Sequence, residues 1–182
     1  MYYKGCESNM IENISQWLLI VIIGITITVV FQRFILFTAL VSSNSMEPTL
    51  ASGDRVLMQR ICRSQHVKRQ DIIAFYSREY KMVMIKRAIG IPGDSVTIQK
   101  NGVLYINGKK LIEDYVYSSN GLSQTFNVPR NQLLLLGDNR KYSSDSRFWE
   151  QPFIADRDLL GKAVFLVYPF RRMRYFGNNR KK

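Results

Sequence analysis

Residues 81–106 read KMVMIKRAIGIPGDSVTIQKNGVLYI and alternate short apolar runs with turn signals. Residues 82–85, 96–98 and 103–106 have the length and the apolar, β-branched character of strands. The dipeptide Asn101-Gly102 separates the last two runs, and its residue types suit the positive φ angles of a tight turn. This stretch therefore predicts antiparallel strands, two of them joined by a hairpin.

The same pattern continues through most of the chain. Further strand-like runs lie at residues 56–58, 72–75, 133–136 and 163–168, and Asn107-Gly108 is a second turn dipeptide. After residue 35 no long segment has helical periodicity, and there is neither an internal repeat nor a low-complexity linker. The predicted fold class is mostly β, with a coiled antiparallel β-sheet domain in place of a parallel α/β sheet.

One segment near the N-terminus breaks the pattern. Residues 13–32 contain no charge, and residues 17–31, WLLIVIIGITITVVF, are almost wholly apolar. Twenty uncharged residues are about what a helix needs to cross the hydrocarbon of a bilayer. The alternatives are a buried core helix and a cleaved signal peptide, but the segment has no polar face and no basic cluster precedes it. We expect an uncleaved transmembrane anchor at residues 13–35.

This anchor divides the chain into four expected parts: a short cytoplasmic N-terminus (1–12), the anchor (13–35), a β-rich domain (36–170) and a basic tail (171–182). The tail carries six basic residues and no acidic one. It is expected either to be solvated or to contact anionic lipid. Most basic residues follow the anchor, which by the positive-inside rule would place the domain in the cytoplasm. The charge bias and the chemistry described below therefore point to opposite orientations.

Composition narrows the classes of function. The chain of 182 residues has 46% hydrophobic and 22% charged residues, which favours a folded core over disorder. Its net charge of +12 attracts anionic surfaces, either lipid or nucleic acid.

The single histidine, His66, lies in a basic stretch that suits a surface position, and no Gly-x-Ser-x-Gly elbow is present. Cys62 and His66 are too few ligands for zinc, so no metal or cofactor is expected.

Lysine remains as a candidate base. Strand alternation places Lys86 on the same face as Met82, Met84 and Ala88, and apolar surroundings can lower the pKa of a lysine by several units. The alternative is that Lys86 ends an edge strand and reaches water. Ser45 is a candidate nucleophile, and Ser43 would share its face in an extended segment. A hydroxyl there could assist the Ser45 backbone N–H in binding an oxyanion.

Three motifs then give a family resemblance. Residues 45–50, SMEPTL, resemble the Ser-Met-x-Pro-Thr-Leu box of type I signal peptidases, and residues 86–94, KRAIGIPGD, resemble the family's Lys-Arg-x-x-Gly-x-Pro-Gly-Asp box. Residues 137–147, GDNRKYSSDSR, are similar to Gly-Asp-Asn-x-x-x-Ser-x-Asp-Ser-Arg. Long motifs in this order are specific. With one apolar segment and no large insertion, the chain resembles the compact form found in Gram-positive bacteria.

The resemblance implies a membrane-bound serine endopeptidase that removes signal peptides from exported preproteins after small residues at −1 and −3. It implies a β-rich catalytic domain on the outer face of the plasma membrane, with the N-terminus in the cytoplasm. The expected partners are these signal peptides and the phospholipid bilayer, with no nucleic acid and no obligate protein partner. The implied roles are Ser45 as nucleophile, Lys86 as base, Ser43 in the oxyanion hole, Ser143 orienting Lys86, Asp145 and Arg147 supporting the loop, and Met46 and Ile85 lining the substrate pockets.

Other functions stay open at this point. A mitochondrial inner-membrane peptidase or a conjugation-linked maturation peptidase has similar boxes, and self-cleaving repressors use a serine and a lysine on a similar β-domain. From a different class, a non-catalytic, membrane-tethered protein would use its basic surface to bind lipid or nucleic acid. Loss of Ser45, Lys86 or Ser143 would favour that last alternative, and all three are present.

Overall fold

The computed structural model describes residues 4–116 and 122–177, with side chains from residue 16 onward except residue 32. It contains one α-helix, α1 (Lys4–Phe34), and three short 3₁₀ turns at Ser64–His66, Asp156–Asp158 and Phe170–Arg172. The strands are β1 (Leu36–Leu40), β2 (Arg55–Arg60), β3 (Ile72–Ser77), β4 (Met82–Gly90), β5 (Ser95–Ile98), β6 (Leu104–Ile106), β7 (Lys109–Lys110), β8 (Gln124–Asn127), β9 (Gln132–Leu136), β10 (Phe153–Ala155), β11 (Leu159–Tyr168) and β12 (Arg174–Tyr175).

The chain divides into two units, residues 1–37 and residues 38–182. The first unit is dominated by α1, whose large apolar side chains between Trp17 and Phe31 are exposed. This helix begins nine residues before the segment that the sequence predicts as an anchor. Among the described residues, no helix combines the length and the apolarity needed to cross a bilayer.

The second unit is built from two antiparallel sheets. The larger sheet has the strand order β1-β2-β11-β3-β4-β9-β10, with β12 beside β11. The smaller sheet has the order β7-β6-β5-β8. The Asn101-Gly102 turn joins β5 to β6, and the Asn107-Gly108 turn, with φ of 50° and 79°, joins β6 to β7. The predicted mostly β, antiparallel fold class and the predicted hairpin are therefore confirmed.

Strand β9 separates two apolar cores, which explains its uninterrupted run of leucines. Leu133 and Leu135 pack in one core with Phe75 and Trp149, whereas Leu134 and Leu136 face a second core that includes residues of the smaller sheet. Alternate side chains of a strand point to opposite faces, so a strand buried on both faces is apolar at every position. Strand β4 pairs with β9, and its residues from Lys86 onward are buried.

All seven apolar runs named from the sequence lie in strands, but β1, β7, β8, β10 and β12 do not follow from it. Strands β7, β8, β10 and β12 are short or polar, whereas β1 is apolar and directly follows the segment predicted as an anchor; each pairs with a neighbouring strand. Within the segment predicted as a tail, Arg174 and Tyr175 form β12 against β11, and Arg172 forms an ion pair with the buried Asp54. Residues 178–182 of that segment lie outside the described residues.

Candidate active site

Lys86 sits where β4 passes from the surface into the interior. Burial along the strand changes from exposed at Met82 and Val83, through half-buried at Met84 and Ile85, to buried from Lys86 onward. Only 2% of the Lys86 surface is exposed. Burial, as the dominant cause, lowers the pKa of Lys86 from 10.5 to about 8, against the opposing charges of Asp145 and Asp138. Of the three residues predicted to form an apolar face around Lys86, Ala88 is buried and Met84 is half-buried, whereas Met82 is exposed because it lies at the open end of the strand.

Ser45 lies at the start of a turn-rich segment that follows β1. A backbone hydrogen bond from Leu50 N to the Met46 carbonyl closes the turn after it. The backbone N–H of Asn139 donates to the carbonyl oxygen of Ser45 at 3.1 Å, so a distant loop fixes its main chain. Ser45 is 7% exposed. A nucleophile held in this way has a defined side-chain direction.

The structure brings Ser45 and Lys86 together although 41 positions separate them. Lys86 Nζ lies 2.6 Å from Ser45 Oγ, a short hydrogen-bond distance, and the protonated amine donates to the hydroxyl oxygen. Ser43 Oγ lies 3.2 Å from Ser45 Oγ on its other side. Once Lys86 is neutral, its nitrogen lone pair can accept the Ser45 proton. The structure therefore places an amine and two hydroxyls in one contact group, which is the arrangement that a base and a nucleophile require.

The third motif, residues 137–147, forms a loop against this group. The carboxylate of Asp145 accepts hydrogen bonds from Gly137 N at 2.9 Å and from Arg147 Nε at 2.8 Å. Arg147 also donates to the carbonyl oxygen of Arg140 at 2.7 Å, which closes the loop across its width. Asp145 is fully buried, so this carboxylate depends on these donors. Asp145 and Arg147 therefore contact each other and the loop backbone, and their supporting role stays a prediction.

Gly137 is required by close packing. A Cβ atom at this position would lie 2.1 Å from Ser143 Oγ and 2.6 Å from the carbonyl oxygen of Ser45. Both distances are shorter than any real non-bonded contact. The loop can therefore approach the nucleophile only because residue 137 has no side chain.

Ser143 differs from its sequence-based expectation. Its hydroxyl is buried, but it has no hydrogen-bond partner among the described residues, and the expected bond to Lys86 is absent there. Lys86 Nζ donates to Ser45, and Ser143 lies against Gly137. An orienting role for Ser143 stays a prediction. Of the two expected pocket residues, Met46 is 1% exposed and Ile85 is half-buried directly before the lysine.

Two buried ion pairs, which the sequence did not predict, connect the 137–147 loop to neighbouring segments. Arg87 donates to Asp138 through Nε at 2.7 Å, and Arg140 pairs with Glu113. The Arg87 guanidinium lies over the aromatic ring of Tyr115, and its Cζ atom is 3.9 Å from the centre of that ring. Arg87 and Asp138 belong to the quoted motifs. Because they directly follow Lys86 and Gly137 in the sequence, their place near the site could have been predicted. Glu113 and Tyr115 lie outside every motif.

His66 and Cys62, which the sequence argued against as a base and as zinc ligands, do not belong to the contact group of Ser45 and Lys86. His66 is exposed at the end of a 3₁₀ turn, and Cys62 is exposed with a free thiol. Across residues 4–116 and 122–177, no group of three or more His, Cys, Asp and Glu side chains is arranged to hold a metal ion.

Comparisons with known proteins match the sequence to one family. The family described as signal peptidase, peptidase S26, matches residues 14–168. Signal peptidase I of Bacillus licheniformis is 31% identical over 92% of this chain and 96% of its own length, and that of Bacillus amyloliquefaciens is 33% identical over 87% and 88%. Signal peptidase IB of Staphylococcus aureus is 29% identical over 91% and 95%. A solved signal peptidase I from Enterococcus faecalis aligns at 34% identity over 53% of this chain and 95% of that chain, with a TM-score of 0.45.

Proposed function

The chain belongs to the signal peptidase family, peptidase S26, and on that premise we propose that it is a membrane-bound serine endopeptidase that removes signal peptides from exported preproteins. Its catalytic dyad in this proposal is Ser45 and Lys86. One observation carries the assignment: Lys86 Nζ and Ser45 Oγ are both buried and lie 2.6 Å apart, while the pKa of the amine is lowered to about 8. A lysine with its ordinary pKa would be protonated and unable to act as a base.

The acylation step follows from these contacts. Neutral Lys86 Nζ takes the proton from Ser45 Oγ as the oxygen attacks the scissile carbonyl carbon. The Ser45 backbone N–H and the Ser43 hydroxyl donate to the oxyanion that forms. The tetrahedral intermediate collapses, the C–N bond breaks, and the leaving amine takes the proton from Lys86. The signal peptide stays attached to Ser45 as an ester.

Deacylation uses the same base. Lys86, neutral again, accepts a proton from water, and the resulting hydroxide attacks the ester carbon of the acyl-enzyme. The C–O bond to Ser45 breaks, Oγ recovers a proton from Lys86, and the signal peptide leaves with a new carboxylic acid that loses its proton to solvent. Burial favours the neutral amine, so Lys86 is available as a base before each step and readily passes its proton on to the leaving amine or to Oγ.

An unpaired strand edge supports binding of an extended peptide. Among the described strands, β9 pairs with β4 only from Arg87 onward, so residues 82–86 have a neighbouring strand on the β3 side alone. A substrate strand can add to such an edge through backbone hydrogen bonds. Ile85 on this edge and Met46 beside the nucleophile would limit the space for substrate side chains, which suits the expected small residues at −1 and −3.

The dyad is tested by cleavage of a preprotein by the full-length protein in detergent. Ser45→Ala and Lys86→Met are expected to abolish cleavage. Ser42→Ala and Lys81→Met, which change an exposed serine and an exposed lysine nearby, serve as matched controls and should retain it. Near-normal cleavage by either dyad variant would contradict the mechanism.

For the membrane assignment, we propose that the apolar part of α1 is a single-pass anchor, with the N-terminus in the cytoplasm and the β-rich domain outside. The exposed apolar side chains between Trp17 and Phe31 support this because they have no protein core to cover them in their own unit. A membrane-impermeant thiol reagent added to intact cells should label the exposed Cys62 but not Cys6. Labelling of Cys62 only after lysis would place the domain inside.

The remaining alternatives are separable by substrate. A maturation peptidase would cleave a narrow set of proteins with a different preference at −1 and −3, which profiling with preprotein libraries detects. A non-catalytic binding protein would show salt-sensitive affinity for anionic lipid or DNA and no cleavage. The buried Ser45–Lys86 contact favours the peptidase, because binding alone needs no lysine with a lowered pKa.

A further inference from the structure

A cavity of about 840 Å³ opens beside the nucleophile, between the segment that carries Ser45 and the 137–147 loop. It is separate from a second cavity of about 650 Å³ near Trp149, with which it shares no lining residue. The first cavity is referred to below as the leaving-side cavity, and its lining includes Asn44, Glu47, Pro48, Asn139, Lys141 and Tyr142.

Asn139 lines the leaving-side cavity, and its side chain has a buried acceptor atom without a partner. Asn139 is 7% exposed; its Nδ2 donates to the carbonyl oxygen of Asn44 at 3.2 Å, and its backbone N–H donates to Ser45. Its Oδ1, in contrast, has no hydrogen-bond partner among the described residues. An unsatisfied buried oxygen next to a nucleophile suits an N–H donor that arrives with the substrate.

The position of this cavity fixes which part of a substrate it can hold. The free edge of β4 at residues 82–86 lies on one side of the dyad, and no β4 residue lines the leaving-side cavity. A peptide that adds to the β4 edge and presents its carbonyl to Ser45 would continue on the other side of Ser45, where the backbone of Asn139 is hydrogen-bonded to the Ser45 carbonyl. Here the chain belongs to the mature protein, which has to remain connected to solvent, and the exposed Lys141 and Tyr142 provide an open, polar rim.

We propose that the leaving-side cavity binds the first residues of the mature chain, with Asn139 Oδ1 accepting a backbone N–H of that segment. Glu47 and Lys141 set its charge preference, since both border the cavity and, among the described residues, neither forms an ion pair. Glu47 would favour basic side chains and Lys141 acidic ones. This assignment rests on the proposed peptidase function and adds a specificity site on the other side of the scissile bond.

The first experiment measures a ratio, so that a general loss of activity does not affect it. Two peptide substrates are identical up to −1 and carry either glutamates or lysines in the first three mature positions. Lys141→Glu is expected to lower the kcat/KM ratio of the acidic over the basic substrate by about three- to tenfold, and Glu47→Lys to raise it by a similar factor. Arg157→Glu, an equal charge change in the other cavity, should leave the ratio unchanged.

The second experiment tests Asn139 by substrate length. One peptide ends as an amide after the first mature residue, and the other extends to the third. Asn139→Ala should reduce the gain in kcat/KM that the longer peptide shows in the unaltered protein. A variant that merely displaced Ser45 would lower both values equally and keep the gain, and that result would overturn the role of Asn139.

The two proposals fail in distinguishable ways. If cleavage persists in Ser45→Ala, the peptidase mechanism is wrong whatever the ratios show. If cleavage depends on Ser45, but neither charge reversal shifts the substrate ratio or both shift it in the same direction, the leaving-side cavity does not hold the mature chain.

Discussion

Replacing Lys86 by methionine tests the physical basis of the site, because methionine has a similar length and no charge. The pKa of Lys86 falls from 10.5 to about 8 on folding. At 1.36 kcal/mol per pKa unit, this shift means that the ammonium form of Lys86 is about 3 kcal/mol less favourable in the folded state than in the unfolded chain. Lys86 is only 2% exposed, so solvent screening reduces this figure little. Both the pH dependence of activity and the pH dependence of stability should show this cost.

The sign follows from proton binding. Below pH 8 Lys86 is protonated in both states, and the folded state bears the full cost. Between pH 8 and 10.5 the folded protein has lost this proton while the unfolded chain keeps it, so the free energy of unfolding rises with pH. The unaltered protein should therefore gain about 3 kcal/mol relative to Lys86→Met across this window. Other titrating groups cancel in the difference.

Two measurements check this prediction on the full-length protein in detergent. Urea unfolding of the unaltered protein and of Lys86→Met is followed by tryptophan fluorescence between pH 7 and 11. Preprotein cleavage by the unaltered protein is measured over the same range, and kcat/KM should rise with pH to an inflection near 8. A stability difference that stays flat, or an inflection at pH 10 or above, would refute the argument that burial makes Lys86 a base.

Three further substitutions probe the surroundings of the dyad. Ser43→Ala should lower kcat about 10²- to 10³-fold with little change in KM, which steady-state peptide cleavage measures; an equal rise in KM would argue against an oxyanion role. Gly137→Ala should remove activity, since its Cβ would lie 2.1 Å from Ser143 Oγ; full activity would show that the loop can move away. Asp138→Asn should destabilise the fold by about 3–5 kcal/mol in urea unfolding because it leaves the Arg87 charge buried with a neutral partner; a loss below about 1 kcal/mol would contradict this.

Much of the fold follows from local pattern. Each apolar run named from the sequence is a strand because its alternation, or its continuous apolar character, matches a surface that must be buried on one face or on both. The turns at Asn107-Gly108 and after Asn101 form where the residue types permit positive φ. Strands such as β8 and β10 lack this signal, since a partner strand stabilises them from outside their own sequence.

For the site, the sequence by itself determined the family, the types of the reacting groups and the order of the motifs that carry them. It could not determine that Ser45 and Lys86 touch, because 41 residues separate them and the contact exists only after β4 is buried between β3 and β9. The tertiary structure also decided the lowered pKa of Lys86 and the missing Ser143 bond. Both depend on the solvent that folding excludes and on distances between side chains that no local pattern specifies.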